Sequence, residues 1–212
     1  MEEGSRTEDR AIATLYDLKP RFQGLLRPLT IRLAQRGITA NQVTLGAAGA
    51  SIALGATLAF GAGIHRLFLL LPVFLFIRMA LNAIDGMLAR EHDQKSRLGA
   101  ILNEITDVVS DAALYLPFAL LPQANAVLVV VTVLLAALTE MTGVVAQTIG
   151  ASRRYDGPLG KSDRAFLFGL LSLLIGLDIQ LGQWLNVILL IAAFLSAVTI
   201  VRRAQRALAE GA

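Results

Sequence analysis

Long apolar stretches alternate with short basic ones along this chain, and that alternation limits its fold more than any other feature. The stretches run about Val43 to Ala62, Leu67 to Leu88, Leu98 to Leu121, Ala124 to Gly150, Ala165 to Leu181 and Trp184 to Val201. A helix of roughly 20 apolar residues crosses about 30 Å of hydrocarbon. Hydrophobic residues make up 55% of the 212, and the 17% that are charged gather between the stretches instead of being spread as on a solvated surface. The expected fold is therefore an all-α integral membrane protein with six transmembrane helices.

The segment from about Leu18 to Arg36 sets Lys19, Arg21, Arg27, Arg32 and Arg36 among apolar residues, as in an interfacial amphipathic helix lying in the headgroup plane. Residues 1–42 are expected to form a cytoplasmic tail and this interfacial segment, 43–203 the six-helix domain, and 204–212 a cytoplasmic C-terminal tail. Arg90, Lys95 and Arg97 follow the second stretch, Arg153, Arg154, Lys161 and Arg164 the fourth, and Arg202, Arg203 and Arg206 the sixth, whereas the opposite connections hold only Arg66. Positive charge stays on the cytoplasmic side, so both termini and the polar end of the bundle are expected there, in a bacterial inner membrane. The polar, mixed-charge start MEEGSRTEDR is unlike a cleavable signal peptide. The chain has no cysteine, which excludes disulfides and thiolate chemistry.

Ionisable groups within the apolar stretches concentrate in NAIDGMLAREHDQKSRLGAILNEITDVVSD. Asn82 and Asp85 stand three apart on one helix, and Asn103, Asp107 and Asp111 four apart on the next, so each set shares a helical face. Oxygen donors of this kind suit a hard divalent cation. Gly86 and Gly99 leave room for a nucleotide or a neighbouring backbone. One carboxylate in a span is readily explained by an arginine partner, and Arg78 lies four residues before Asn82. Several together, at roughly 2.5 to 3.5 kcal/mol each, point to a site.

This segment resembles the signature of the CDP-alcohol phosphatidyltransferase family: Asp, two residues, Asp-Gly, two residues, Ala-Arg, eight residues, Gly, three residues, Asp, three residues, Asp. Asp85, Gly86, Ala89, Arg90, Gly99 and Asp107 match at full spacing, and GITANQVTL at Gly37 to Leu45 is similar to the family's lead into its first span, with Ala40 where proline is common. The resemblance implies a transferase that moves a phosphatidyl or phospho-alcohol group from a CDP-linked donor, expected to be CDP-diacylglycerol, to an alcohol acceptor, phosphorylated or not, with release of CMP. It implies Mg²⁺ or Mn²⁺ held by Asn82, Asp85, Asn103 and Asp107, with Asp107 also the general base. Gly86, Ala89, Arg90 and Gly99 would line the CDP pocket. A homodimer among membrane lipids is implied as well, and nothing points to nucleic acid.

The family's first and third aspartates fall on Asn82 and Asn103, which removes two negative charges. Asp111, Glu104 and Glu140 are further candidate ligands that would restore them; Glu140 lies about 15 Å from the cytoplasmic end of its span by helical rise. Pairing of Asp111 or Glu140 with Arg78 is the competing explanation. Lys161 and Arg164, in RRYDGPLGKSDRAF, are candidates for holding an acceptor or headgroup phosphate, while Arg153 and Arg154 read as topological charges. Small residues Gly46, Gly49 and Ala50 suggest close helix packing. Two other classes stay open: a non-catalytic nucleotide- or lipid-binding family member, which the asparagines allow, and a small transporter, which accounts for buried carboxylates but not for the Gly and Ala-Arg spacing.

Overall fold

A computed structural model describes residues 18–210. The mixed-charge start at residues 1–10 and the last two residues of the expected C-terminal tail lie outside the described residues. The described residues form seven α-helices and no strand: α1 Leu18–Gln35, α2 Ala40–Phe60, α3 Leu70–Glu91, α4 Arg97–Tyr115, α5 Ala126–Val145, α6 Lys161–Gly176 and α7 Gln183–Glu210, with 3₁₀ turns at His65–Leu69, Leu116–Leu120 and Ala146–Ile149. Four are long and apolar enough to cross a membrane, counting adjoining turns: Ala40–Phe60, His65–Glu91, Ala126–Ile149 and Gln183–Glu210. The two remaining expected spans correspond to α4, which carries Arg97, Glu104, Asp107 and Asp111, and α6, which has 16 residues.

Several boundaries differ from the sequence reading for local reasons. The α-helix of the third stretch ends at Tyr115, because Pro117 supplies no backbone N–H and the chain tightens into a 3₁₀ turn. The fifth begins at Lys161, four residues earlier than expected, since Asp163 Oδ2 accepts from the Gly160 N–H at 2.8 Å and caps the helix. The sixth continues as one helix to Glu210, through most of the expected tail.

Contacts divide the chain into two units. The first comprises the described part of residues 1–47 together with 78–102. Its core is Ala40, Ile84, Met87 and Leu88, with Leu26, Leu33 and Ala34 of α1 packed against them. Gly37, at φ 73°, turns the chain out of α1. Helix α2 then starts on a reciprocal cap: Thr39 N–H donates to Gln42 Oε1 at 2.9 Å, and Gln42 N–H donates to Thr39 Oγ1 at 3.2 Å. Gln94 Oε1 accepts the Ala40 N–H at 2.7 Å, tying the loop after α3 to the same helix end.

The second unit comprises residues 48–77 and 103–212. Its apolar core centres on Tyr115 stacked on Phe168 at 4.1 Å, with Phe118 edge-on to Phe168 and to Phe68. Helix α5 packs on α7, and Thr132 Oγ1 lies 3.3 Å from Leu189 O. Helix α6 packs on the His65–Leu69 turn, where Ser172 donates to Phe68 O at 2.5 Å. Close approach of α2 and α4 depends on Gly55, where a Cβ would come within 2.1 Å of Ala113 O. At Gly46 and Gly49 a Cβ would meet nothing within 4 Å among the described residues, and the close approach of α2 falls at Gly55, about two turns further on.

Candidate functional site

In the first unit, α3 carries Asn82, Asp85, Gly86, Ala89 and Arg90. Asp85 is only 7% exposed, and Thr44 Oγ1 stands 2.9 Å from its Oδ2 and 3.0 Å from Ala40 O. A hydroxyl has one proton, and an ionised carboxylate is the stronger acceptor, so Thr44 is a donor held beside Asp85 by α2. The glycines have local causes. The Arg90 guanidinium folds back over Gly86, with both terminal nitrogens 3.1 Å from where a Cβ would stand, and Asn41 Oδ1 occupies the equivalent place over Gly99 at 2.7 Å. A larger residue at position 86 would displace Arg90, and at position 99 would displace Asn41. Sequence reasoning did not single out Asn41, Thr44 or Gln94; the signal for the first two was present in GITANQVTL, whose Thr44 meets Asp85 of α3 and whose Asn41 stands over Gly99 of α4.

In the second unit, α4 carries Asn103, Glu104, Asp107 and Asp111, and among the described residues each of the three acids meets a cation. Glu104 is bound by Arg153, Asp107 lies 2.5 Å from Lys161 Nζ, and Asp111 lies 3.6 Å from Arg164. Glu140 of α5 sits at the centre: Arg164 donates to its Oε1 at 2.9 Å, Arg203 stands 3.5 Å from the same oxygen, and Arg153 is 3.7 Å from Oε2. Arg164 is fully buried and Arg203 nearly so. Arg164 also donates to Thr139 Oγ1 and Leu159 O, and Arg203 to Thr139 O and Asp156 O, while Arg164 Nε makes no hydrogen bond among the described residues. Buried ion pairs depend on such additional hydrogen bonds.

The loop before α6 is fixed by the same helices. Gly157, at φ 123°, lies against Thr199, where no Cβ would fit, and Thr199 Oγ1 accepts the Leu159 N–H at 3.1 Å. Arg154 grips Asp156 through two hydrogen bonds and reaches Glu210. Those bonds hold the Asp156 carboxyl below the usual carboxylate range. Arg153, read from sequence as a topological charge, joins the buried network, and Arg203, read the same way, anchors it. Their position beside Arg154 and Arg202 in the sequence concealed this.

No group of three or more His, Cys, Asp or Glu among the described residues forms a metal cage. The donor chemistry of Asn82, Asp85, Asn103 and Asp107 is all oxygen and fits Mg²⁺ or Mn²⁺. Glu104, Asp111 and Glu140 are each engaged by a guanidinium group, and Asp107 by the Lys161 ammonium.

The model of the CDP-alcohol phosphatidyltransferase family matches residues 37–201. The chain is 52% identical over 195 residues to inner membrane protein YnbA of Escherichia coli strain K12, covering 92% of this chain and 96% of that protein. Phosphatidylinositol phosphate synthase (PgsA1) of Mycobacterium tuberculosis shares the fold at 20% identity. Its structure with CDP-DAG bound gives a TM-score of 0.71 over 85% of this chain and 92% of that one. Its structure with manganese and citrate gives 0.72 over 85% and 88%.

Proposed function

The chain belongs to the CDP-alcohol phosphatidyltransferase family, and on that premise we propose that it transfers a phosphatidyl group from CDP-diacylglycerol to an alcohol, releasing CMP, in phospholipid synthesis. It is a multi-pass protein of a bacterial inner membrane. In the proposed topology α2 to α7 are six spans, α1 lies at the interface, and the reacting groups face the cytoplasm.

The observation that carries this reading is the buried Asp85 with Thr44 donating to it and Arg90 folded over Gly86, because it gives the Asp-Gly and Ala-Arg spacing a physical role. Asn82, Asp85, Asn103 and Asp107 are assigned to a divalent cation by their places in the signature. When bound, Mg²⁺ or Mn²⁺ would neutralise charge on the phosphate oxygens and on departing CMP. Gly86, Ala89, Arg90 and Gly99 are assigned to the cytidine nucleotide. Asp107 takes the proton of the acceptor hydroxyl as its oxygen attacks the phosphorus bearing the lipid; the bond from that phosphorus to the CMP oxygen breaks, and CMP keeps the electron pair. Lys161, 2.5 Å from Asp107, holds that carboxylate in place.

The deciding experiment incubates the full chain in lipid with labelled CDP-diacylglycerol, Mg²⁺ or Mn²⁺ and a panel of alcohols, following CMP. Acceptor-dependent CMP release is the expected result. Nucleotide binding without release under any acceptor would instead support a non-catalytic descendant, the reading that Asn82 and Asn103 favour.

A further inference from the structure

We infer that the acceptor is an uncharged polyhydroxy alcohol with no phosphate of its own, an inference that rests on the transferase reading. Within the second unit the basic residues Lys161, Arg153 and Arg164 are paired with Asp107, Glu104, Glu140 and Asp111, and Arg203 closes the set against Glu140. Lys161 and Arg164 read in sequence as candidates for holding a phosphate. Within the second unit they are instead neutralised by carboxylates of α4 and α5.

Charge and burial decide the preference. A phosphate reaching Arg164 must displace Glu140 or Asp111 from a guanidinium that is fully buried, and the displaced carboxylate then sits next to the incoming dianion. At Arg153 the competitor is Glu104, which is about three-quarters buried. The Lys161 ammonium is held by Asp107, so recruiting it to a phosphate would also uncouple it from the base. A hydroxyl carries no charge and both donates and accepts, so it can hydrogen-bond to the outer atoms of these groups without competing for a pair. Several hydroxyls on one small molecule make the most such bonds, which selects a polyol over a simple alcohol.

The test compares matched pairs, glycerol with glycerol phosphate and inositol with inositol phosphate, in CMP release by the full chain in nanodiscs. The expected kcat/KM is at least about tenfold higher for the unphosphorylated member. Equal use, or preference for the phosphorylated member, overturns the inference. Absence of release with every acceptor counts against the transferase reading, and a binding arm then judges the charge cluster separately. With CMP saturating and ionic strength matched by chloride, inorganic phosphate should leave the wild-type melting temperature unchanged and should saturably stabilise Glu104→Gln, in which Arg153 is released. The double variant Glu104→Gln with Arg153→Gln should again be indifferent. Saturable stabilisation of the wild type by phosphate overturns the inference whether or not either variant folds.

Discussion

The two units differ in the groups set against their buried carboxylates. Thr44 donates a neutral hydroxyl to Asp85, and the guanidinium of Arg90 lies over Gly86. Around Glu140 three arginines converge on one carboxylate, and Asp111 and Glu104 are each drawn to one of the same arginines. A neutral donor orients a carboxylate without cancelling its charge, whereas a guanidinium cancels it. Thr44 thus orients Asp85 from α2, and Glu140 is suited to hold helices α5, α6 and α7 together. Depth in the membrane does not by itself distinguish a reactive acid from a structural one, because either can be buried and partnered.

The largest effect should come from removing the reactive acids. Asp85→Ala and Asp107→Ala should each lower turnover by at least about 100-fold while the protein still extracts as a folded species. Excess EDTA should stop the wild-type reaction and Mg²⁺ or Mn²⁺ should restore it. Substantial turnover in either variant would remove that acid from the proposed reaction.

Next in size is Glu140→Gln. It leaves Arg164 and Arg203 without their shared charge, and one partner removed from a buried pair costs about 3 to 5 kcal/mol. The variant should melt well below the wild type in detergent, while the metal concentration that half-activates the remaining enzyme stays the same. A normal melting temperature with weakened metal dependence would make Glu140 a ligand, compensating for Asn82 and Asn103 as the sequence alone allowed.

How much of this was legible beforehand depended on the range of the interaction. Helices α2, α3, α5 and α7 follow from apolar runs, and the importance of Asp85, Gly86, Arg90 and Asp107 follows from fixed spacing along two neighbouring helices. The destination of Arg153 and Arg203 was not legible. Each lies beside a second arginine at a helix end, where positive charge is expected for topology, and their partners on α4 and α5 are far away in sequence. Gly55 was overlooked because it lies outside the three-residue spacing of Gly46 and Gly49, and its partner Ala113 is far away in sequence. The early start of α6 was in principle readable, since Gly160 and Asp163 stand at cap spacing.

A smaller effect sharpens the picture around Asp85. Thr44→Val keeps the shape of the side chain and deletes the donor, and a hydrogen bond to a charged group is worth about 1.5 to 3 kcal/mol. If that bond orients Asp85 for catalysis, kcat/KM should fall about tenfold or more, with only a modest change in melting temperature. Loss of stability with unchanged kcat/KM would assign Thr44 to packing alone.

The smallest effect is expected at the edge of the charge network, where Arg154 holds Asp156 and Glu210 in partly exposed pairs. Exposed pairs contribute little because water screens them, so Asp156→Asn should lower stability far less than Glu140→Gln. Its pH dependence has a definite sign. Hydrogen bonds from Arg154 lower the folded-state pKa of Asp156 below the ordinary value of 3.8, so the stabilisation is fully present above that value and is lost as pH falls below it through the folded pKa. Melting curves of wild type and Asp156→Asn should therefore differ slightly at neutral pH and converge below about pH 3.8. A cost as large as that of Glu140→Gln would mean that the loop before α6 bears as much of the fold as the interior pairs, and burial would no longer explain the difference between them.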